Sequence, residues 1–172
     1  MATQVLQPIK AVRTRSGGAP EILAYPEAAT QTFKKGEMVY LDGSGRVAEF
    51  TASVDDGSTR FLGFAAEDGH NDTTAETHDC AVYIANGDTV FEGNIYHGTV
   101  GSAITAITDV STVLPLKQLP SQGDGMCAVD KEDTSGQIDC ARIIAISPRD
   151  AVGDTYGRVE FIIEAAGRLF DR

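Results

Sequence analysis

Tryptophan is absent from this chain, and aromatic residues make up only 7% of its 172 residues. Carbohydrate-binding β-sandwiches usually offer exposed aromatic platforms to sugar faces. Only Tyr25, Tyr40, Tyr83, Tyr96 and Tyr156 are available here, and Tyr40 and Tyr83 sit inside strand patterns that point to core or cross-strand roles. Cysteine is scarce too. Cys80, Cys127 and Cys140 are odd in number, widely spaced and form no CxxC pair, so a zinc ribbon and a thioredoxin motif are excluded. They read as buried thiols made in a reducing cytoplasm. No apolar run approaches the roughly 20 residues of a spanning helix, so no membrane is expected among the partners. The opening Met1-Ala2-Thr3-Gln4 lacks a charged patch followed by an apolar core, so no secretory signal is expected.

Positive charge is also in short supply. Fourteen bases face 25 acids, for a net charge of −11. Such a surface repels phosphates, which disfavours direct nucleic acid binding. The balance is uneven: residues 1–20 hold Lys10, Arg13 and Arg15 and no acid. A basic stretch ahead of an acidic body suggests docking on something acidic, either nucleic acid, for which three charges are weak, or a neighbouring acidic protein surface.

Glycine is abundant, at 18 residues, and often follows Asp or Asn: Asp42-Gly43, Asp56-Gly57, Asp68-Gly69, Asn86-Gly87 and Asp124-Gly125. These pairs reach positive φ at low cost and close turns between short strands. Met38–Leu41 and Arg46–Phe50 flank Asp42-Gly43-Ser44-Gly45 as a hairpin, and Ala81–Ile84 and Thr89–Phe91 flank Asn86-Gly87 as a second. Phe61–Ala65 is another apolar run. Ile138–Ser147 suits a strand buried on both faces. In Arg158–Glu164, Val159, Phe161 and Ile163 alternate against Glu160, Ile162 and Glu164. The one helical pattern is Ala103, Ala106, Ile107 and Val110, with Ser102 as a cap. Residues 1–35 are interrupted by Gln7-Pro8, Gly17-Gly18-Ala19-Pro20 and Tyr25-Pro26, and read as an extended arm. Its apolar and basic residues Val5, Leu6, Ile9, Lys10, Val12, Arg13 and Arg15 are the candidate interface, facing either a neighbouring subunit or the chain's own domain.

Motifs for chemistry are weak. Glu67 to Cys80 gathers His70, His78, Cys80 and five carboxylates, yet matches neither an EF-hand loop nor HExxH, and reads as a solvated loop before a metal site. There is no Gly-x-Ser-x-Gly elbow and no phosphate loop; Gly153–Arg158 lacks a following helix. All three His precede Cys127 in the chain, so a Cys–His pair there would need the fold to build it. A trimeric nucleotide hydrolase of the deoxyuridine triphosphatase kind shares the length and strand content, but Arg15-Ser16-Gly17 and Gln137-Ile138-Asp139-Cys140 match its motifs poorly.

Taken in order, four segments resemble phage head decoration, or cement, proteins. Phe33–Val47 is similar to their opening hairpin, Phe61–Ala65 to the next strand, Ala81–Ile84 with Gly87–Gly93 to the one after, and Gly157–Phe161 to the closing strand. The resemblance implies a mainly β fold, a compact antiparallel β-barrel of β-tulip type, on the exterior of an icosahedral virion after synthesis in the host cytoplasm. It implies the major capsid protein as partner, self-association as a trimer in preference to a dimer, and no enzymatic role, metal or cofactor. The expected organisation is an arm over 1–35, one barrel domain over 36–172 and at most one short helix. A carbohydrate-binding β-sandwich and the nucleotide hydrolase remain the alternatives.

Overall fold

Asp42 folds the chain back on itself where the sequence places its first hairpin. Its Oδ1 accepts the backbone N–H groups of Ser44 (2.8 Å) and Arg46 (3.0 Å), and Gly45 takes φ +79°. The computed structural model describes residues 1–50, 61–119, 126–132 and 139–169. Asp56-Gly57, Asp124-Gly125 and Gln137-Ile138 lie outside the described residues.

Twelve strands run through the described chain: β1 (Lys10–Thr14), β2 (Ile22–Pro26), β3 (Met38–Leu41), β4 (Val47–Glu49), β5 (Gly63–Ala65), β6 (Asp79–Ile84), β7 (Thr89–Tyr96), β8 (Val113–Leu114), β9 (Leu116–Gln118), β10 (Cys127–Asp130), β11 (Ala141–Ile146) and β12 (Arg158–Ile163). They form two sheets. The first runs β8-β11-β12-β7-β10-β9, with β1 added to β7. Its two ends are chain neighbours separated only by Pro115, so the sheet curls almost into a closed barrel. Leu114 accepts the Cys140 N–H (3.2 Å), and Pro115 accepts the Asp130 N–H (2.9 Å). Proline fits where the strand changes partner, since it has no N–H to give. The second sheet runs β2-β6-β5-β3-β4. A parallel bridge from Glu27 to Val47, with the Ala28 N–H on the Val47 carbonyl (2.9 Å), brings its ends together as a smaller barrel.

Strand alternation explains the packing. In β3 and β5, Val39 and Ala65 point into the small barrel, joining Phe33, Val47, Leu62, Cys80, Val82 and Ile84. Met38 and Phe64 point the other way, into the core shared with the larger sheet. There Phe64 meets Phe61 (5.5 Å between centroids), Phe91 (4.8 Å) and Phe161 (6.4 Å). Tilted and edge-on ring pairs of this kind add about 0.5–1.5 kcal/mol each beyond burial. Gly63 permits the closest approach: a Cβ there would lie 1.9 Å from the Tyr83 carbonyl oxygen.

The closing alternation is as expected, with Val159, Phe161 and Ile163 buried in the shared core. Other expectations change. Asn86-Gly87 does not close a hairpin. β6 ends between β5 and β2, while β7 begins between β1 and β12 in the other sheet. The Asn86 Oδ1 accepts the Asp88 and Thr89 N–H groups (3.1 and 2.7 Å), so the turn carries the chain from one sheet to the next. Ala103–Val110 is not an α-helix: one 3-10 turn, Val100–Ser102, precedes it and another, Ile107–Asp109, lies within it. Ala103 is fully buried while Ile107 is exposed, so the helical spacing does not describe one face. Ser102 lies within the first turn and Thr99 takes the cap position. β11 is buried on its inner face only; Arg142 and Ile144 are half-buried. Residues 1–35 are extended, but they do not stand apart from residues 36–172. They supply β1 to the larger sheet and β2 to the smaller, because one five-residue strand fits between Pro8 and Gly17 and another follows Pro20 and ends on Pro26.

Candidate functional site

The first fifteen residues run along the larger barrel, and their beginning lies beside two other segments that carry exposed apolar side chains. Asp154 anchors the start. Its carboxylate accepts the Ala2 N–H (2.7 Å), the Gln4 Nε2 (2.9 Å) and the Ala151 N–H (3.1 Å), which together hold its pKa below the ordinary carboxylate range. Thr3 bridges Thr155, and Thr155 bridges Ile104. Asn94, fully buried in β7, accepts the Gln7 N–H (2.9 Å) and donates to the carbonyls of Val5 (3.3 Å) and Tyr156 (2.5 Å).

The seven candidate arm residues divide. Ile9 is buried in the shared core. Lys10 reaches Glu92 (2.8 Å), and Arg13 reaches Glu160 (2.5 Å). Leu6 and Val12 are half-buried, Val12 at a bulge in the β1–β7 ladder. Val5 and Arg15 remain exposed. Most of the arm's positive charge is thus spent on its own body. Burial pushes the Glu92 carboxyl up, but hydrogen bonds from Lys10 and Ser147 (2.7 Å) and the Lys10 and Arg149 charges bring it below its usual value.

Exposed apolar side chains lie on and beside the docked arm. Met1, Val5, Val100, Ile107 and Val152 are all exposed. They sit on three segments tied together by the Thr3–Thr155 and Ile104–Thr155 bridges and by the Gly153 N–H on the Thr105 carbonyl (2.7 Å). Val5 is 77% exposed and Ile107 70%. Exposed apolar side chains on neighbouring segments are candidates for a protein contact site.

The histidine loop is held by Glu27, just after β2, and by its own Asp72. His70 Nδ1 lies 2.7 Å from Glu27 Oε2, His78 Nδ1 lies 2.5 Å from Asp72 Oδ2, and the rings stack at 4.4 Å and 10°. Among the described residues no group of three or more His, Cys, Asp or Glu side chains is placed to hold a metal ion. Cys80, Cys127 and Cys140 are buried, and burial pushes each thiol up to about 12, the wrong direction for a nucleophile. Arg15-Ser16-Gly17 is a tight turn facing an acid: Ser16 Oγ donates to Asp88 Oδ2 (2.6 Å), a poor setting for phosphate. The Gly153–Arg158 stretch is a strand connection in which Asp150 holds Arg158 (2.5 Å). Tyr40 and Tyr83 pack against the shared core and Tyr25 against the small barrel's core. Tyr96 is engaged by Tyr156 (6.0 Å, 13°) and by Lys117, 5.8 Å from its centroid.

Three residues that fasten the candidate surfaces escaped the sequence reading: Asp154, Asn94 and Glu27. Each acts on groups 43 or more positions away, so no local spacing announces them. Comparison with known proteins finds no matching family model, no matching curated protein and no matching solved structure.

Proposed function

We propose that this chain is a capsid decoration protein, a structural module that binds the outside of an icosahedral phage head and bridges neighbouring capsomers. The observation that carries the reading is the apolar corner of Met1, Val5, Val100, Ile107 and Val152, presented on a two-barrel β body whose first residues are fastened down at Asp154. A cement protein works by contact. It needs a stiff body, because flexibility at the interface would cost ordering entropy on every binding event. It needs an apolar face that loses water on docking. Repetition by shell symmetry then multiplies a modest affinity per copy. The acidic surface keeps the free chain apart from the genome and from premature association. In this reading the major capsid protein is the partner and the chain self-associates, as a trimer in preference to a dimer, at the virion exterior.

Co-sedimentation with expanded phage shells tests the proposal. Wild-type chain is expected to pellet with the shells at a saturating stoichiometry. A Val5→Ser, Ile107→Ser double variant is expected to keep its thermal midpoint and lose at least about tenfold in affinity, as two desolvated apolar anchors would. Failure of the wild type to pellet, or full retention of the variant, overturns the reading.

A further inference from the structure

The small barrel closes at Glu27, and that seam is built around two histidines. Glu27 ends the run from β2, is buried to 3% exposure, and bridges Val47 across the gap between β2 and β4. Its backbone N–H donates to the His78 carbonyl (2.9 Å), and its carbonyl accepts the Glu76 N–H (2.9 Å). Its carboxylate takes the His70 N–H at Oε1 (2.9 Å) and His70 Nδ1 at Oε2 (2.7 Å). His70 stacks on His78, whose Nδ1 is held by Asp72. Thr30 and Asn71 complete the seam: the Thr30 N–H donates to the Asp72 carbonyl (2.6 Å), and the Asn71 N–H to the Gln31 carbonyl (3.0 Å).

The backbone here is held under tension. Thr30 (φ 58°), Asn71 (φ 56°) and Glu76 (φ 64°) are three of the five non-glycine residues at positive φ among the described residues. A β-branched threonine pays most for that conformation. Strain of this kind persists only where surrounding contacts over-determine it. Gly69 packs so tightly that a Cβ would lie 2.8 Å from the Gln31 carbonyl oxygen. The loop is therefore clamped against residues 27–31 by a small number of contacts, and the His70–Glu27 pair is the one among them made by an imidazole side chain.

We propose that Glu27, His70 and His78 form a proton-operated latch, which holds the 67–79 loop closed over the seam of the small barrel when His70 is charged and loosens it when that proton leaves. The charges around His70 favour the closed state. The hydrogen bond to Glu27 holds the His70 pKa above its ordinary 6.5, partial burial opposes it, and the charges of Glu27, Glu67 and Asp72 add to the rise. Of the other charged groups around the loop, Asp68 pairs with Lys34 (3.3 Å), Glu76 lies 4.0 Å from Arg46, and Asp79 stands opposite Pro26 in the β2–β6 ladder. A charged His70 makes a charge-assisted bond to Glu27. A neutral His70 keeps only an ordinary hydrogen bond. Because its folded pKa is raised, the stabilisation is complete below pH 6.5 and fades as pH rises through the elevated value.

Amide hydrogen exchange by NMR on the full chain tests the latch, with protection factors corrected for the intrinsic pH dependence. Between pH 6 and pH 8.5 the protection of the His70, Asn71 and Glu76 amides is expected to fall about fivefold, the loss of roughly half a charge-assisted bond. Amides of β7 and β12 are expected to hold constant. In His70→Gln the same loop amides are expected to show no pH dependence. Constant wild-type protection across this range overturns the proposal, with no need for the variant to fold. A pH dependence that survives in a folded His70→Gln also overturns it.

Discussion

Replacing Ile9 by alanine asks whether the first stretch of the chain is part of the body or an appendage. Ile9 is 2% exposed, and a Cβ on Gly93 would come within 2.8 Å of its Cγ1, so the side chain fills its site with no slack. The substitution removes roughly three methylene-sized groups, worth about 2.5 kcal/mol of transfer free energy at about 0.8 kcal/mol each. Incomplete collapse around the void brings the expected loss to about 3–4 kcal/mol. A domain of this size has about 5–15 kcal/mol in total. Urea unfolding, with a slope of about 1–3 kcal/mol per molar, should move its midpoint down by at least about 1 M without a change in slope. Val5→Ala is the control. At 77% exposed it should change stability by no more than about 0.5 kcal/mol. A detachable arm would make both substitutions equally silent. An Ile9→Ala loss under about 1 kcal/mol would refute the packing argument.

Two further outcomes follow from buried groups. Asp150 is held below the ordinary carboxylate range, first by the Arg158 side chain and then by its backbone N–H (2.6 Å). Its contribution is present above the unfolded value near 3.8 and is lost as pH falls through the lower folded value. Asp150→Asn should therefore cost about 2 kcal/mol at pH 7 and flatten the stability profile below about pH 4, read by chemical unfolding across that range. The three thiols, pushed up to about 12, should resist Ellman's reagent at pH 8 in the folded chain and all react in denaturant. Rapid native labelling of any one would contradict its burial.

Local chemistry made some of this legible. Asp42-Gly43-Ser44-Gly45 encodes its hairpin in its own hydrogen bonds, and the alternation of β12 names the three side chains that enter the core. Turn chemistry does not say which strand lies across the turn, which is why Asn86-Gly87 reads as a hairpin yet joins two sheets. The Ala103–Val110 spacing fits a helix, but Asp109 accepts the Ala106 N–H (2.7 Å) and binds Lys131 (2.8 Å), and these bonds hold a tighter turn. The prolines of residues 1–35 hide two short strands, one between Pro8 and Pro20 and one that ends on Pro26. The pairings that shape the candidate surfaces, Asp154 with Ala2 and Glu27 with His70, join distant segments and leave no trace in spacing.

The proposed contact between this chain and a phage shell is the corner of Met1, Val5, Val100, Ile107 and Val152. A cryo-electron microscopy map of expanded shells incubated with the purified chain tests it most directly. The prediction is added density at each capsomer junction, with that corner buried against the capsid protein or a symmetry-related copy. Undecorated shells, or bound copies whose corner faces open solvent, would contradict it.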